Sequence, residues 1–277
     1  MSQNKAATVY GLDFTSAPGK RKPITCAVCL FEDGVLRLEH QQPLISFAEF
    51  EQFLRTEGSW IAGIDAPFGQ PRELVENLNW PQAWQDYVRH IKSLGKAGFI
   101  DAVRRYQASR PRGKKEHKRR VDVLSKSQSP MKFWGVPVGR MFFELAPRLV
   151  ATSLNLPLLR PTDDPRTVVE AYPALIGRPW SYKSDTRKKQ TRCQLEARRK
   201  IVEKLLSEQF RETYVGVQLS KGQQDELVSD PKADVLDAFL CAVQAAWSYT
   251  QRESNYGIPD SADALEGWIT DPTLLKL

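Results

Sequence analysis

Five carboxylates stand where carboxylates are costly. Asp13 falls inside the apolar run Thr8-Val9-Tyr10-Gly11-Leu12-Asp13-Phe14-Thr15. Asp65 closes Trp60-Ile61-Ala62-Gly63-Ile64-Asp65, and Glu170 sits within Thr167-Val168-Val169-Glu170-Ala171-Tyr172. Asp234 and Asp237 lie three apart in Asp234-Val235-Leu236-Asp237-Ala238-Phe239, so on a helix they share a face. A buried carboxylate must be paired, hydrogen-bonded or bound to a cation. Clustered acids with hard oxygen ligands suit Mg²⁺ or Mn²⁺. Two such ions would stabilise the attacking and leaving oxygens of a phosphodiester displacement. In that chemistry Asp13 bridges the metals, Asp65 and Asp237 each anchor one side, and Asp234 or Glu170 assists. Each acid also has a plainer role. Asp65 before Ala66-Pro67 could form a turn, Asp234 could complement a helix dipole, and Glu170 could pair with an Arg.

The elements that must position these acids follow from pattern. Residues 8–14, 24–32 and 35–41 read as strands, with Glu32-Asp33-Gly34 as a hairpin turn. Ser46 and Glu49 have the capping-box spacing, starting a helix that buries Phe50, Phe53 and Leu54. Trp60 to Asp65 and Thr167 to Tyr172 read as further strands. The sequence strand–hairpin–helix–strand makes the Trp60 strand parallel to an earlier one. In such a sheet ligands gather at the carboxyl ends of the strands, where Asp13 and Asp65 lie. Helices are expected over Pro81 to about Leu94, Arg140 to about Asn155 with Pro147 interrupting, and Thr191 to Thr213. The last spans 231–249, with Asp230 as N-cap and Pro231 as first residue. Residues 75–160 read as a largely helical insertion and 250–277 as a tail pinned by Trp268, all within one domain of 277 residues.

Net charge is +7, compatible with a polyanionic partner, DNA or RNA. The basic residues are concentrated. Arg110, Arg112, Lys114, Lys115, Lys118, Arg119 and Arg120 form one patch, and Lys183, Arg187, Lys188 and Lys189 a second. Charge runs are usually solvated faces, but the first patch is dense enough to suggest phosphate contact. Trp84 and Trp180 read as core rather than as base-stacking platforms. Cys26 and Cys29 have C-x-x-C spacing, but in a strand they face opposite sides of the sheet, which favours structural thiols over a metal site. The histidines are His40, His90 and His117, and no nucleophile elbow or phosphate-binding glycine loop occurs. No apolar stretch is long enough to span a bilayer and the first residues carry no apolar core, so a cytoplasmic protein is expected.

Taken together, Gly11-Leu12-Asp13-Phe14-Thr15, Gly63-Ile64-Asp65-Ala66-Pro67-Phe68-Gly69, Val169-Glu170-Ala171-Tyr172-Pro173-Ala174 and Asp234 to Ala242 resemble the DUF429 family, described as predicted RNase H-like nucleases. The resemblance implies an α/β ribonuclease-H-like core, a five-stranded mixed sheet flanked by helices. It places Asp13, Asp65 and Asp237 at the superfamily's metal positions. The last helix is also similar to that of Holliday-junction resolvases of this fold. Further catalytic groups could come from the middle region, with His117, Arg120 and Asp122 as candidates. Two other functions fit the pattern. An actin-like phosphotransferase or nucleotide-binding protein would also place an Asp before Thr15 and Ser16. A non-catalytic nucleic-acid-binding protein would keep the fold and lose the chemistry.

Overall fold

The computed structural model describes residues 6–180 and 191–275. The chain opens with β1 (Ala7–Asp13), β2 (Ile24–Glu32) and β3 (Val35–Leu44), an antiparallel meander turned by Asp33 and Gly34, both at positive φ. Next come α1 (Phe47–Phe53), capped by Ser46 Oγ accepting from Glu49 N–H, and β4 (Trp60–Ile64). Four helices follow before the next strand, α2 (Arg72–Asn77), α3 (Trp84–Ala108), α4 (Arg120–Ser125) and α5 (Val138–Val150). Then come β5 (Arg166–Glu170), α6 (Ala174–Gly177), α7 (Arg192–Leu205), α8 (Glu208–Thr213), β6 (Gly216–Gln218), α9 (Lys221–Ser229) and α10 (Asp234–Thr250).

The sheet has six strands, not five, in the order β5-β4-β1-β2-β3-β6. Only β2 runs against the rest. The extra strand, β6, pairs with just Val35, Leu36 and Arg37 at the edge. That short cover lets β3 continue through Pro43, whose missing N–H disturbs no ladder on the open side.

Helices cover both faces, as alternation along the strands requires. Leu12, Cys26, Trp60, Ala62 and Ile64 pack with Phe50, Tyr87, Phe99 and Phe142 on one side. Val9, Ala27, Cys29, Leu36 and Ile61 pack with Ile201, Leu240 and Val243 on the other. Cys26 and Cys29 therefore do lie on opposite faces. Both are buried free thiols, and burial pushes Cys26 up to about 12.

Several expected boundaries move. The Pro81 helix begins at Trp84 and runs on to Ala108 through a break at Gly95, whose φ is 70°. Pro147 lies inside α5 without ending it. The helix expected over 191–213 is two helices, because Ser207 leaves helical geometry and caps α8. Asp230 does not begin the last helix. Ala233 is the N-cap, in the left-handed region, while Asp230 accepts from the Lys232 and Val235 N–H groups across the turn. The segment after α10 is pinned by Trp268, as expected, and by further contacts. Leu265, Trp268, Ile269 and Leu274 are buried, and Glu170 bridges to Ile269. Among the described residues no helix is long and apolar enough to cross a membrane.

Candidate active site at the carboxyl end of the sheet

Strands β5, β4 and β1 are adjacent and parallel; β5 and β1 end on Glu170 and Asp13, and Asp65 directly follows β4. Leu12 pairs with Ile64 and Ile64 with Glu170, so the acids leave the sheet at nearly one level. Asp13 is two residues beyond Gly11 and Asp65 two beyond Gly63. A two-residue period puts all four on one face.

That face carries α10. A Cβ on Gly11 would stand 2.0 Å from Ala238 O and 2.2 Å from Ala242 N, and one on Gly63 would stand 2.5 Å from Cys241 O. Only glycine permits so close an approach. The helix runs antiparallel to β1. Its far end brings Tyr249 against Phe31, which pairs with Ala7 at the start of β1. Its first turn, with Asp234 and Asp237, therefore lies at the end where Asp13 and Asp65 emerge. Asp13 and Asp237 are buried, and Asp65 and Asp234 are half-buried. The positive end of the helix dipole favours acids there. Asp13, Asp65, Asp234 and Asp237 thus lie at one end and on one face, whereas Glu170, paired with Ile64, points to the other face. Among the described residues, no three His, Cys, Asp or Glu side chains form a ready-made group for a metal ion.

Glu170 has another partner. Arg119, 1% exposed, spans Glu170 and Asp122 with its guanidinium. Nη1 and Nη2 donate to Glu170 at 2.8 and 2.6 Å, and Nε and Nη2 to Asp122 at 3.0 and 2.8 Å. Nη1 also donates to Glu266 O, and the Phe68 N–H donates to Glu170. Burial pushes the Glu170 carboxyl up, against the pull of Arg119. The expected phosphate contact by Arg119 is therefore corrected: a guanidinium enclosed by two carboxylates is not presented to solvent. Asp122 is likewise held in this pair, not offered as a catalytic acid.

A cleft of about 430 Å³ opens beside this pair. Its lining includes Asp65, Arg119, Asp122, Glu170, Tyr172 and Met141. A larger hollow, about 560 Å³, is lined by Arg55, Lys92 and Arg166 and by none of the five acids. Arg166 begins β5, so that hollow lies at the opposite end of the sheet.

Residues 11–264 match the family model described as "Protein of unknown function (DUF429)". The chain belongs to the DUF429 family. No curated protein and no solved structure matches it.

In this DUF429 chain the remaining expected residues scatter. Arg112, Lys114, Lys115, Lys118 and Arg120 are exposed. Arg110 is half-buried, donating to Lys114 O and to Tyr106 Oη and lying 5.3 Å from the Tyr106 ring. His117 hydrogen-bonds Tyr106 Oη through Nε2, and burial holds its pKa low. Lys183, Arg187, Lys188 and Lys189 lie outside the described residues. Trp84 is core, as expected, while Trp180 is half-buried and lines the cleft.

Sequence reading missed the C-terminal acids. Glu266 accepts from the backbone N–H groups of Arg72 and Arg120, joining the starts of α2 and α4. Asp271 is fully buried and accepts from Tyr214, Gln244 and Thr273. Burial pushes both carboxyls up. Leu265-Glu266 and Ile269-Thr270-Asp271-Pro272 carry the same mark as Asp13, an acid among apolar neighbours.

Proposed function

We propose that this DUF429 protein is an RNase H-like, divalent-metal-dependent nuclease. The carrying observation is the gathering of Asp13, Asp65 and Asp237 at one end and one face of the sheet, under the first turn of α10. The mixed sheet, reversed only at β2 and covered by helices on both sides, supports the RNase H-like reading, with β6 as an edge addition.

The donor chemistry fits a hard cation. Every candidate ligand is a carboxylate, and the nearby Arg119 is shared between two acids. All-oxygen donors of this kind suit Mg²⁺ or Mn²⁺. Asp13, Asp65 and Asp237 would hold it. When bound, such an ion supplies an activated water and a Lewis acid for phosphodiester cleavage. Asp234, in the same turn, adds negative charge. Glu170 serves through Arg119, fixing the β5 end beside Asp65. The exposed lysines and arginines of 112–120 would meet the phosphates of DNA or RNA.

The experiment is cleavage of single-stranded, duplex and branched substrates with Mg²⁺ or Mn²⁺. Asp13→Asn abolishes cleavage, and calorimetry shows the loss of Mn²⁺ binding in the same variant. Activity that survives Asp13→Asn overturns the reading.

A further inference from the structure

The cleft beside Asp65 carries the carboxylates of Asp65, Asp122 and Glu170 and the Arg119 guanidinium in its lining, and the rest of its wall is of another kind. Val136, Val138, Met141 and Ile269 give it apolar surface, Tyr172 and Trp180 aromatic surface, and Gln128 and Ser127 polar edges. Its volume, about 430 Å³, is that of a small-molecule pocket. Val136 is 59% exposed, an apolar side chain at the mouth that the fold does not use.

The rim is cationic. Lys118 Nζ donates to Ser127 O at 2.7 Å, and Arg178 Nη2 donates to Ser125 O. Both side chains belong to exposed residues and flank the same turn, whose Ser127 lines the cleft. Arg112, Lys114 and Lys115, a few residues before Lys118 in the chain, are exposed as well.

We propose that this cleft receives one unpaired nucleobase, with its flanking phosphates on Lys118 and Arg178. The substrate of the site is then a single-stranded or extruded nucleotide. A base has two flat apolar faces and a polar edge, which answer the apolar and aromatic walls and the Gln128 and Ser127 edge. An anionic or purely aliphatic ligand would leave half of these groups unanswered. A base reaches such a pocket only out of the stack, with its pairing edge free. The proposal rests on the nuclease reading for the nature of the polymer, and it adds the conformation in which the polymer is bound.

The test is fluorescence anisotropy on the full chain in EDTA, where metal-dependent cleavage does not proceed. Three labelled DNA probes of equal length are compared: a single strand, the same strand with abasic sites, and a blunt duplex. The wild type binds the single strand about tenfold more tightly than the abasic strand, as the loss of stacking predicts. Met141→Trp fills the cleft and brings the two within about twofold. Val136→Asn, at an exposed position where folding is not at stake, lowers the preference about threefold. Equal binding of base-bearing and abasic strands, tighter binding of the duplex, no binding of any strand, or a preference that both variants retain overturns the proposal. Base preference without Mn²⁺-dependent cleavage leaves the cleft standing and removes the nuclease reading. Cleavage without base preference does the reverse.

Discussion

Replacing Arg119 by Met tests the arrangement beneath the cleft most directly. The wild-type guanidinium makes five hydrogen bonds, two to Glu170, two to Asp122 and one to Glu266 O. The Arg119, Asp122 and Glu170 side chains are 2%, 1% and 3% exposed. Methionine keeps much of the volume but leaves two carboxylates buried without their shared cation. Breaking a buried pair from one side costs about 3–5 kcal/mol. That is a large part of a stability on the order of 5–15 kcal/mol. With a urea slope of about 3 kcal/mol/M, the unfolding midpoint falls by roughly 1–1.7 M. The deficit must also shrink in acid. Glu170 is raised by burial even in the wild type, so without Arg119 its native form takes up a proton before the unfolded chain does. A group raised in the native state contributes stability below its unfolded pKa and loses it as pH rises through the native one. Urea unfolding of both proteins at pH 7 and pH 5 therefore shows a smaller gap at pH 5. A second variant, Arg119→Met with Glu170→Gln, recovers part of the loss. A midpoint shift worth under about 1 kcal/mol at pH 7, or a gap that widens in acid, refutes the reasoning.

Four further outcomes are expected. Gly63→Ala drives a Cβ to 2.5 Å from Cys241 O and lowers stability by about 3 kcal/mol or more, whereas Gly19→Ala, with nothing within 4 Å, leaves the thermal midpoint unchanged. Thiol titration of the native protein at pH 8 labels Cys193, the exposed one, and reaches Cys26, Cys29 and Cys241 only after unfolding. Because Cys26 keeps its proton up to about 12 in the fold, against 9.0 ordinarily, the unfolded chain ionises first and stability falls between those pH values. On the proposed nuclease reading, Lys114→Glu with Lys115→Glu, at two exposed positions, weakens oligonucleotide binding for all sequences alike and flattens its salt dependence, measured as the slope of log affinity against log salt.

The positions of Asp13, Asp65 and Asp237 were legible because each interrupts an apolar run, and apolar runs reveal buried strands and helices. The parallel pairing of β1 with β4 followed from element order alone. Other features carried no local mark. Arg119 stands in Lys114-Lys115-Glu116-His117-Lys118-Arg119-Arg120, where nothing local separates an interior arginine from its solvated neighbours. Its identity is decided by Glu170, 51 residues away. Strand β6 is three residues long, too short to show a period. The segment after α10 has no regular period either, because its anchors are single long-range bonds, such as Glu266 to the Arg72 and Arg120 N–H groups.

The same spacings that seat α10 also bring its acids to the sheet. Gly11 and Gly63 pair with each other across β1 and β4, and each stands two residues before an acid. On the helix, Ala238 rests on Gly11 immediately after Asp237. The close approach that needs glycine is therefore one turn or less from every candidate ligand. Any force that lifted the helix would separate Asp237 from Asp13 and Asp65, while sliding it by a turn would exchange Ala238 for Asp234 or Ala242 over Gly11. Packing of small residues thus fixes both the height and the register of the acidic turn. The wider cleft, by contrast, is closed by segments from the insertion and the C-terminal chain, tied through Arg119 and Glu266. One part of the site is set by the sheet and its helix, the other by a side-chain network, and the two meet at Asp65, which closes β4 and lines the cleft.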